Sequence, residues 1–412
     1  MADPPEDTHL DIPQHIKYWK RCLLTLLPTQ YTTTDSSRMT LAFFILSALD
    51  LLNAGADTFP PAQRTSIRDW ILKCQHPHGG FCGSPNHRYP DAYYEGGESM
   101  DPANLPATYF ALLALSFVGG LESVNRGACL AWLRRLQRRD GSFGELVTGE
   151  GKVEGGYDMR YCYVLANVRW MLRGDMEGPV GGIEDINVES LVRHLKAGQT
   201  YDGGISESSS HEAHAGYTYC AIASLKILNR LNNPDTAKDN ATSSGLTDIS
   251  ATIRWLMSRQ IGYIPDEDSD DDNDSLPDQD NRNTLAGIHS AHAIPALSTT
   301  SPEFVGFNGR CNKSVDTCYA FWVTASLNML NPTYTPLVNT PSMRRFLFTQ
   351  TQHRIGGFSK HPGGPPDIYH SYLGLAALAV MKEPGLKELD AALCVSREQR
   401  ARIEGVRGGG GG

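Results

Sequence analysis

One turn recurs along this chain behind apolar helices, and it limits the fold more than any other feature. Gln75 is followed four residues later by Gly79-Gly80-Phe81, and Gln137 by Gly141-Ser142-Phe143. Gln199 leads to Gly203-Gly204-Ile205, and Gln352 to Gly356-Gly357-Phe358. The first three turns are 62 residues apart, at 79, 141 and 203. Apolar residues recur at helical spacing over 16–26, 39–52, 109–118, 159–172, 217–228, 318–330 and 369–381, while alternating strand patterns are scarce. Glycine ends a helix in a left-handed cap and lets the chain reverse. Each unit therefore reads as a helix, a glycine turn and a return helix, and one such hairpin cannot bury its apolar face alone. The fold class is all-α. Stacked hairpins make either an open solenoid or a closed αα barrel (a toroid) around a central apolar cavity, and periodicity does not separate the two.

One turn is interrupted. Gln260 is followed by Ile261-Gly262, but the Gly-x-x-Gly continuation comes only at Gly306-Phe307-Asn308-Gly309. The expected organisation is a single domain over 1–396, broken by a disordered insertion over 261–305 rich in Asp, Asn, Ser, Thr and Pro. A flexible Gly-rich tail is expected over 397–412.

At 412 residues and 40% hydrophobic content, the chain can bury a large core. Its formal charge of −9 is local, because residues 266–280 carry nine carboxylates and no basic residue, leaving −9 + 9 = 0 for the remainder. A neutral body gives no reason to expect nucleic-acid binding. The N-terminus is acidic and lacks a signal-peptide order, and the longest apolar run, 41–52, is too short to span a bilayer. Nine cysteines without paired spacing argue for reduced thiols. The expectation is a soluble, cytoplasmic, non-membrane-spanning chain.

The turns bring polar residues to one place. His214 lies 11 residues after Gly203, Asp316 lies 10 after Gly306, and His370 lies 14 after Gly356. Each falls at the start of a return helix, so all three should gather at one rim of the stack. Asp316 and Cys318 flank a helix start, where the first residue is not yet helical, so both side chains can turn toward one ion. With the His370 imidazole they make three ligands of a catalytic zinc site with its fourth position open. The competing reading is an N-cap aspartate, a core cysteine and a surface histidine. Arg310 and Lys313 precede that helix, Tyr319 lies just inside it, and His214 joins them across the rim. Cations with phenol and imidazole donors suit a diphosphate, although a solvated basic turn would read the same. The acidic matches at 268–271 and 270–274, to a terpene-cyclase acid motif and a magnesium motif, lie in the low-complexity tract and read as solvated loop.

At RCNKSVDTCYAFW (310–322) and PDIYHSYLGLAAL (366–378) the chain resembles the β subunits of protein prenyltransferases. Matching stretches also occur at SSRMTLAFF (36–44), DGSF (140–143), YDMRYCY (157–163) and HEAHAGYTYC (211–220). The resemblance implies an αα barrel with a funnel-shaped cavity and an obligate α subunit that contributes a catalytic lysine. It implies zinc on Asp316, Cys318 and His370, and the isoprenoid diphosphate on His214, Arg310, Lys313 and Tyr319. Arg160 is implied as a contact for the substrate peptide, and Thr40, Phe44, Tyr109, Cys220 and Trp322 as lining of the lipid cavity. Farnesyl-transferring members carry a tryptophan where Thr40 stands, closing the cavity floor, and a magnesium-binding aspartate where Lys360 stands. Both departures point to the type I branch, which uses geranylgeranyl diphosphate, does not require magnesium, and modifies C-a-a-X proteins ending in Leu or Phe, such as Rho-type small GTPases. A farnesyl-transferring chain, a terpene-cyclase-like barrel and a non-catalytic scaffold are the rivals.

Overall fold

A computed structural model describes residues 9–89, 102–231, 245–265 and 302–408. Twelve helices in these segments alternate between an outer and an inner position. The outer ones are α1 (Ile12–Leu24), α3 (Pro61–Leu72), α5 (Arg126–Arg135), α7 (Val188–Ala197), α9 (Ile249–Met257) and α11 (Thr340–Arg345), which runs on into a wide π-type turn, Phe346–Thr351. The inner ones are α2 (Arg38–Leu51), α4 (Leu105–Val118), α6 (Met159–Arg173), α8 (Ala215–Ile227), α10 (Thr317–Leu330) and α12 (Ile368–Val380). Composition explains the division. The inner helix LPATYFALLALSFV is apolar all round and buried along almost its whole length, whereas the outer helix VESLVRHLKA has one apolar stripe.

The inner helices touch in the order α2, α4, α6, α8, α10, α12, and α12 returns to α2. This closes the ring. The chain is an αα barrel rather than an open solenoid, and the glycine turns show why. A Cβ on Gly79 would lie 2.2 Å from the Ala128 carbonyl oxygen of α5, and one on Gly141 would lie 2.0 Å from the Ser190 oxygen of α7. The last turn makes the same contact with the first helix, Gly356 meeting the Gln14 oxygen of α1 at 2.3 Å. These glycines have φ between +85° and +100°, so backbone conformation and close packing both require them.

The recurring glutamine is a clamp between hairpins, a role the sequence does not reveal. Gln137 Nε2 donates to the Asn187 carbonyl (2.9 Å), and its Oε1 accepts from the Asn187 N–H (2.8 Å). Gln199 does the same at Asp248 and Thr247, and Gln352 accepts from Asp11 N–H. Each glutamine thus satisfies the N-cap region of the next outer helix. Beside Gln352, the buried His15 accepts from Gly357 N–H through Nδ1 (3.1 Å). Burial pushes its pKa down to about 4 against the opposing bond to Gln352, so the ring stays neutral, as an acceptor nitrogen must.

Two expected boundaries change. The stems of the insertion form an antiparallel ribbon, β3 (Gln260–Tyr263) against β4 (Phe304–Phe307), pairing Gln260 with Phe307 and Tyr263 with Phe304. Phe304 and Val305 are buried, so apolar packing orders the ends of what the sequence suggested was disordered throughout. The acidic tract 266–280, with both acidic motifs, lies outside the described residues. The expected flexible tail is a helix over most of its length, α13 (Arg397–Gly408). Ile403 is buried in it, Arg400 bonds Glu404 one turn on, and Arg400 and Arg407 lie over the Trp170 ring. Residues 409–412 lie outside the described residues. Two short ribbons complete the fold, β1–β2 (Leu146–Val147 with Val153–Glu154) and β5–β6 (Leu389–Asp390 with Val395–Ser396).

Candidate metal centre and its cationic rim

All inner helices begin at the same rim, and five of the six have an N–H there capped by a side chain, α2 being the exception. Asn104 accepts from Ala107 N–H, Asp158 from Arg160, His214 from Gly216, Asp316 from Cys318, and Asp367 from His370. Two of the caps, His214 and Asp316, are also candidate site residues. The convergence expected from spacing is therefore real.

Asp316, Cys318 and His370 are gathered so that one ligand atom from each lies within 4.8 Å of the others, and all three are largely withdrawn from solvent. His370 Nε2 is 3.2 Å from Asp316 Oδ1. Its other nitrogen, Nδ1, is held by Asp367 Oδ2 at 2.6 Å, which fixes the ring and aims Nε2 into the group. Burial opposes a charge on His370, but its bonds to Asp316 and Asp367 outweigh that and push its pKa up to about 9. Burial also pushes the Cys318 thiol well up, and the neighbouring Asp316 adds to this. A buried carboxylate beside a buried thiol is costly alone and favourable around a cation. The donors are one oxygen, one sulfur and one nitrogen, a set that fits zinc and leaves a position open. Asp367 is the residue that reading the sequence missed. The signal was present as D-x-x-H at a helix start, where the aspartate is placed to hold the histidine.

Beside the triad, His214 Nε2 lies 3.1 Å from the Tyr319 hydroxyl, and the rings meet edge to face. Burial, then Arg310 and Arg160, pushes His214 down to about 4. It is a neutral imidazole whose Nδ1 accepts from Gly216 (3.0 Å), leaving Nε2–H to donate. Arg310 is half-exposed and 3.4 Å from Glu212. Lys313 and Lys360 are exposed, and no carboxylate among the described residues pairs with either. Lys360 is tied in by its backbone, whose carbonyl accepts from Thr317 N–H at the start of α10. Arg160 is bound by Asp158 through two bonds (3.1 and 2.8 Å), with its guanidinium 5.8 Å from the centre of the Tyr217 ring.

Thr40 sits in the first turn of α2. Phe44, one turn on, stacks with Tyr369, Phe110 and Tyr372. Trp322 packs on Tyr219 with ring centres 4.7 Å apart, and Cys220 is buried in α8. Tyr109 belongs to a collar of tyrosines that stand five residues after four of the caps: Tyr109, Tyr163, Tyr219 and Tyr372. The turn 391–394 between β5 and β6 closes the far end below them. Leu393, Ala391 and Cys394 carbonyls accept from the hydroxyls of Tyr109, Tyr219 and Tyr372 respectively.

Residues 10–395 match the prenyltransferase alpha-alpha toroid domain. The chain belongs to the prenyltransferase αα-toroid family. It is 30% identical over 389 residues to the geranylgeranyl transferase type-1 subunit beta of Arabidopsis thaliana, covering 91% of this chain and 86% of that one. A Dictyostelium discoideum protein of the same description is 28% identical, covering 92% and 94%. The farnesyltransferase subunit beta of Pyricularia oryzae is 27% identical, covering 90% and 63%. Among solved structures, Candida albicans protein geranylgeranyltransferase-I complexed with GGPP superposes with a TM-score of 0.74 at 26% identity, covering 97% of this chain and 99% of that chain. The chain is thus similar to prenyltransferase β subunits, close to the geranylgeranyl type. No helix among the described residues is long and apolar enough to cross a membrane.

Proposed function

We propose that this chain is the catalytic β subunit of a zinc-dependent type I protein geranylgeranyltransferase. The observation that carries the reading is the juxtaposition at one rim of a three-donor metal group with a set of cationic and hydroxyl donors. Asp316, Cys318 and His370 would hold the zinc. Bound there, zinc supplies a Lewis acid that keeps the acceptor cysteine as a thiolate at neutral pH.

The chain's own residues do the rest. Prenyl transfer forms a bond from the acceptor sulfur to carbon 1 of geranylgeranyl diphosphate and releases diphosphate. Arg310, Lys313 and Lys360 meet the leaving charge, and Tyr319 and His214 Nε2–H donate to its oxygens. With the Lys360 ammonium in that set, magnesium has no charge left to neutralise. Thr40, Phe44, Tyr109, Cys220 and Trp322 line the lipid path, beside the tyrosine collar to which Tyr109 belongs. Arg160, fixed by Asp158, is offered to the C-terminus of a C-a-a-X acceptor such as a Rho-type GTPase. An α subunit completes the enzyme, and its place is the cytoplasm.

Farnesyltransferase β subunits are nearly as similar, so lipid choice is the decisive property. Co-expressed with an α subunit, the chain should transfer geranylgeranyl to a peptide ending in C-a-a-L at least about tenfold better than farnesyl. Equal or reversed preference would hand the assignment to the farnesyl branch.

A further inference from the structure

Of the nine cysteines, Cys311 is the exposed one, while the others are buried or half-buried. It stands in the turn 308–313, between Arg310 and Lys313. That turn is held from behind by Arg259, whose carbonyl accepts from Asn308 N–H at 3.0 Å. The Asn308 side chain ties off the other end by donating to the Lys313 carbonyl (3.1 Å), and Asn312 turns the chain with φ of 57°.

Arg259 also reaches the sulfur. It is only 5% exposed, yet its Nη2 lies 3.3 Å from Cys311 Sγ and 3.2 Å from Ser258 Oγ, with the guanidinium 4.7 Å from the Trp255 ring centre. Its Nε and Nη1 are buried without a hydrogen-bond partner, and no carboxylate among the described residues pairs with it. A buried guanidinium left in this state favours an incoming anion. Cys311 is therefore a solvent-facing thiol backed by one uncompensated cation, Arg259, and flanked by Lys313 and by Arg310, which also meets Glu212 at 3.4 Å.

We propose that Cys311 is a modification site for acidic low-molecular-weight disulfides, and that the adduct competes with the isoprenoid diphosphate. The Cys311 thiolate attacks one sulfur of the disulfide. A new sulfur–sulfur bond forms at Cys311, the reagent's own bond breaks, and its second half leaves as a thiolate that takes up the proton Cys311 released to water. Cys311 is oxidised and the departing half is reduced. The carboxylates of the bound half then occupy Arg259, Arg310 and Lys313. Its inhibitory effect rests on the diphosphate reading above, whereas adduct formation does not.

The probe is glutathione disulfide, added to the purified αβ heterodimer with peptide mapping by mass spectrometry. The expected adduct is on Cys311, formed faster than with the uncharged 2-hydroxyethyl disulfide, with the advantage fading as salt is raised. The KM for geranylgeranyl diphosphate should rise about tenfold, the loss of one charge-assisted contact, while kcat changes less, and dithiothreitol should reverse it. C311S should keep the starting activity and lose both responses. Adducts elsewhere with Cys311 untouched, or no advantage of the acidic disulfide, would overturn the site. A Cys311 adduct with unchanged KM would instead refute the competition and count against Arg310 and Lys313 as diphosphate ligands.

Discussion

The two ends of the barrel are built from the same helices and solve the same problem differently. At the rim, a first-turn N–H in five of the six inner helices is satisfied by Asn104, Asp158, His214, Asp316 or Asp367. At the other end, the turn 391–394 plugs the ring and takes hydrogen bonds from Tyr109, Tyr219 and Tyr372. At the rim, His214 and Asp316 do more than cap their helices, turning a polar atom toward Tyr319 and His370 respectively. The closed end spends its tyrosine hydroxyls on the chain itself. Chemistry should therefore be lost by changing the rim, and stability by changing the collar.

The largest effect on stability is expected outside both ends, in the outer layer, where His15 joins the last turn to the first helix. Its folded pKa of about 4 lies below the ordinary value of 6.5, so the neutral form is bound in the native state. That contribution is complete above pH 6.5 and is lost as pH falls toward 4, by about 3 kcal/mol in all. Denaturant unfolding across this range should show H15Q flattening the pH slope; an unchanged slope would remove His15 from the account.

At the metal centre, D367A should weaken metal binding by about 10- to 100-fold, since it removes the group that aims His370, and should cost about 1 kcal/mol of stability through the lost α12 cap without unfolding the chain. Metal titration with a chromophoric chelator measures this. Unchanged affinity would mean that Asp367 serves as a helix cap alone. At the start of α2, T40W should shift preference toward farnesyl diphosphate, because overfilling an apolar site costs roughly 1–3 kcal/mol. If the variant keeps the geranylgeranyl preference of the parent, Thr40 does not border the lipid.

The smallest change belongs to the collar. Y219F removes one hydroxyl bond to the plug and should cost about 1 kcal/mol of stability, without altering metal content. Thermal unfolding alongside metal analysis separates the two. Loss of metal with the fold retained would break the division between rim and collar.

The inner helices were legible because they carry long runs of apolar residues over three or more turns. Outer helices such as Arg126–Arg135 and Ile249–Met257 were not, being short and half polar. Ring closure was illegible for a different reason. It depends on Gly356 meeting Gln14 and on His15 bonding Gly357, contacts that join opposite ends of the chain and leave no periodic trace. The metal group could be read because its residues mark helix starts at a regular distance from the turns. Asp367 could not, since a cap and a histidine's partner look alike in sequence. The helix Arg397–Gly408 was hidden by the glycine run that follows it.

The most direct test of the central claim is the metal content of the αβ heterodimer with and without His370. The parent should bind one zinc per heterodimer by elemental analysis. H370A should bind none at equal helical content and lose prenyl transfer by more than about 100-fold. A heterodimer of H370A that keeps its zinc and its activity would contradict the assignment of the rim as the metal-dependent catalytic centre.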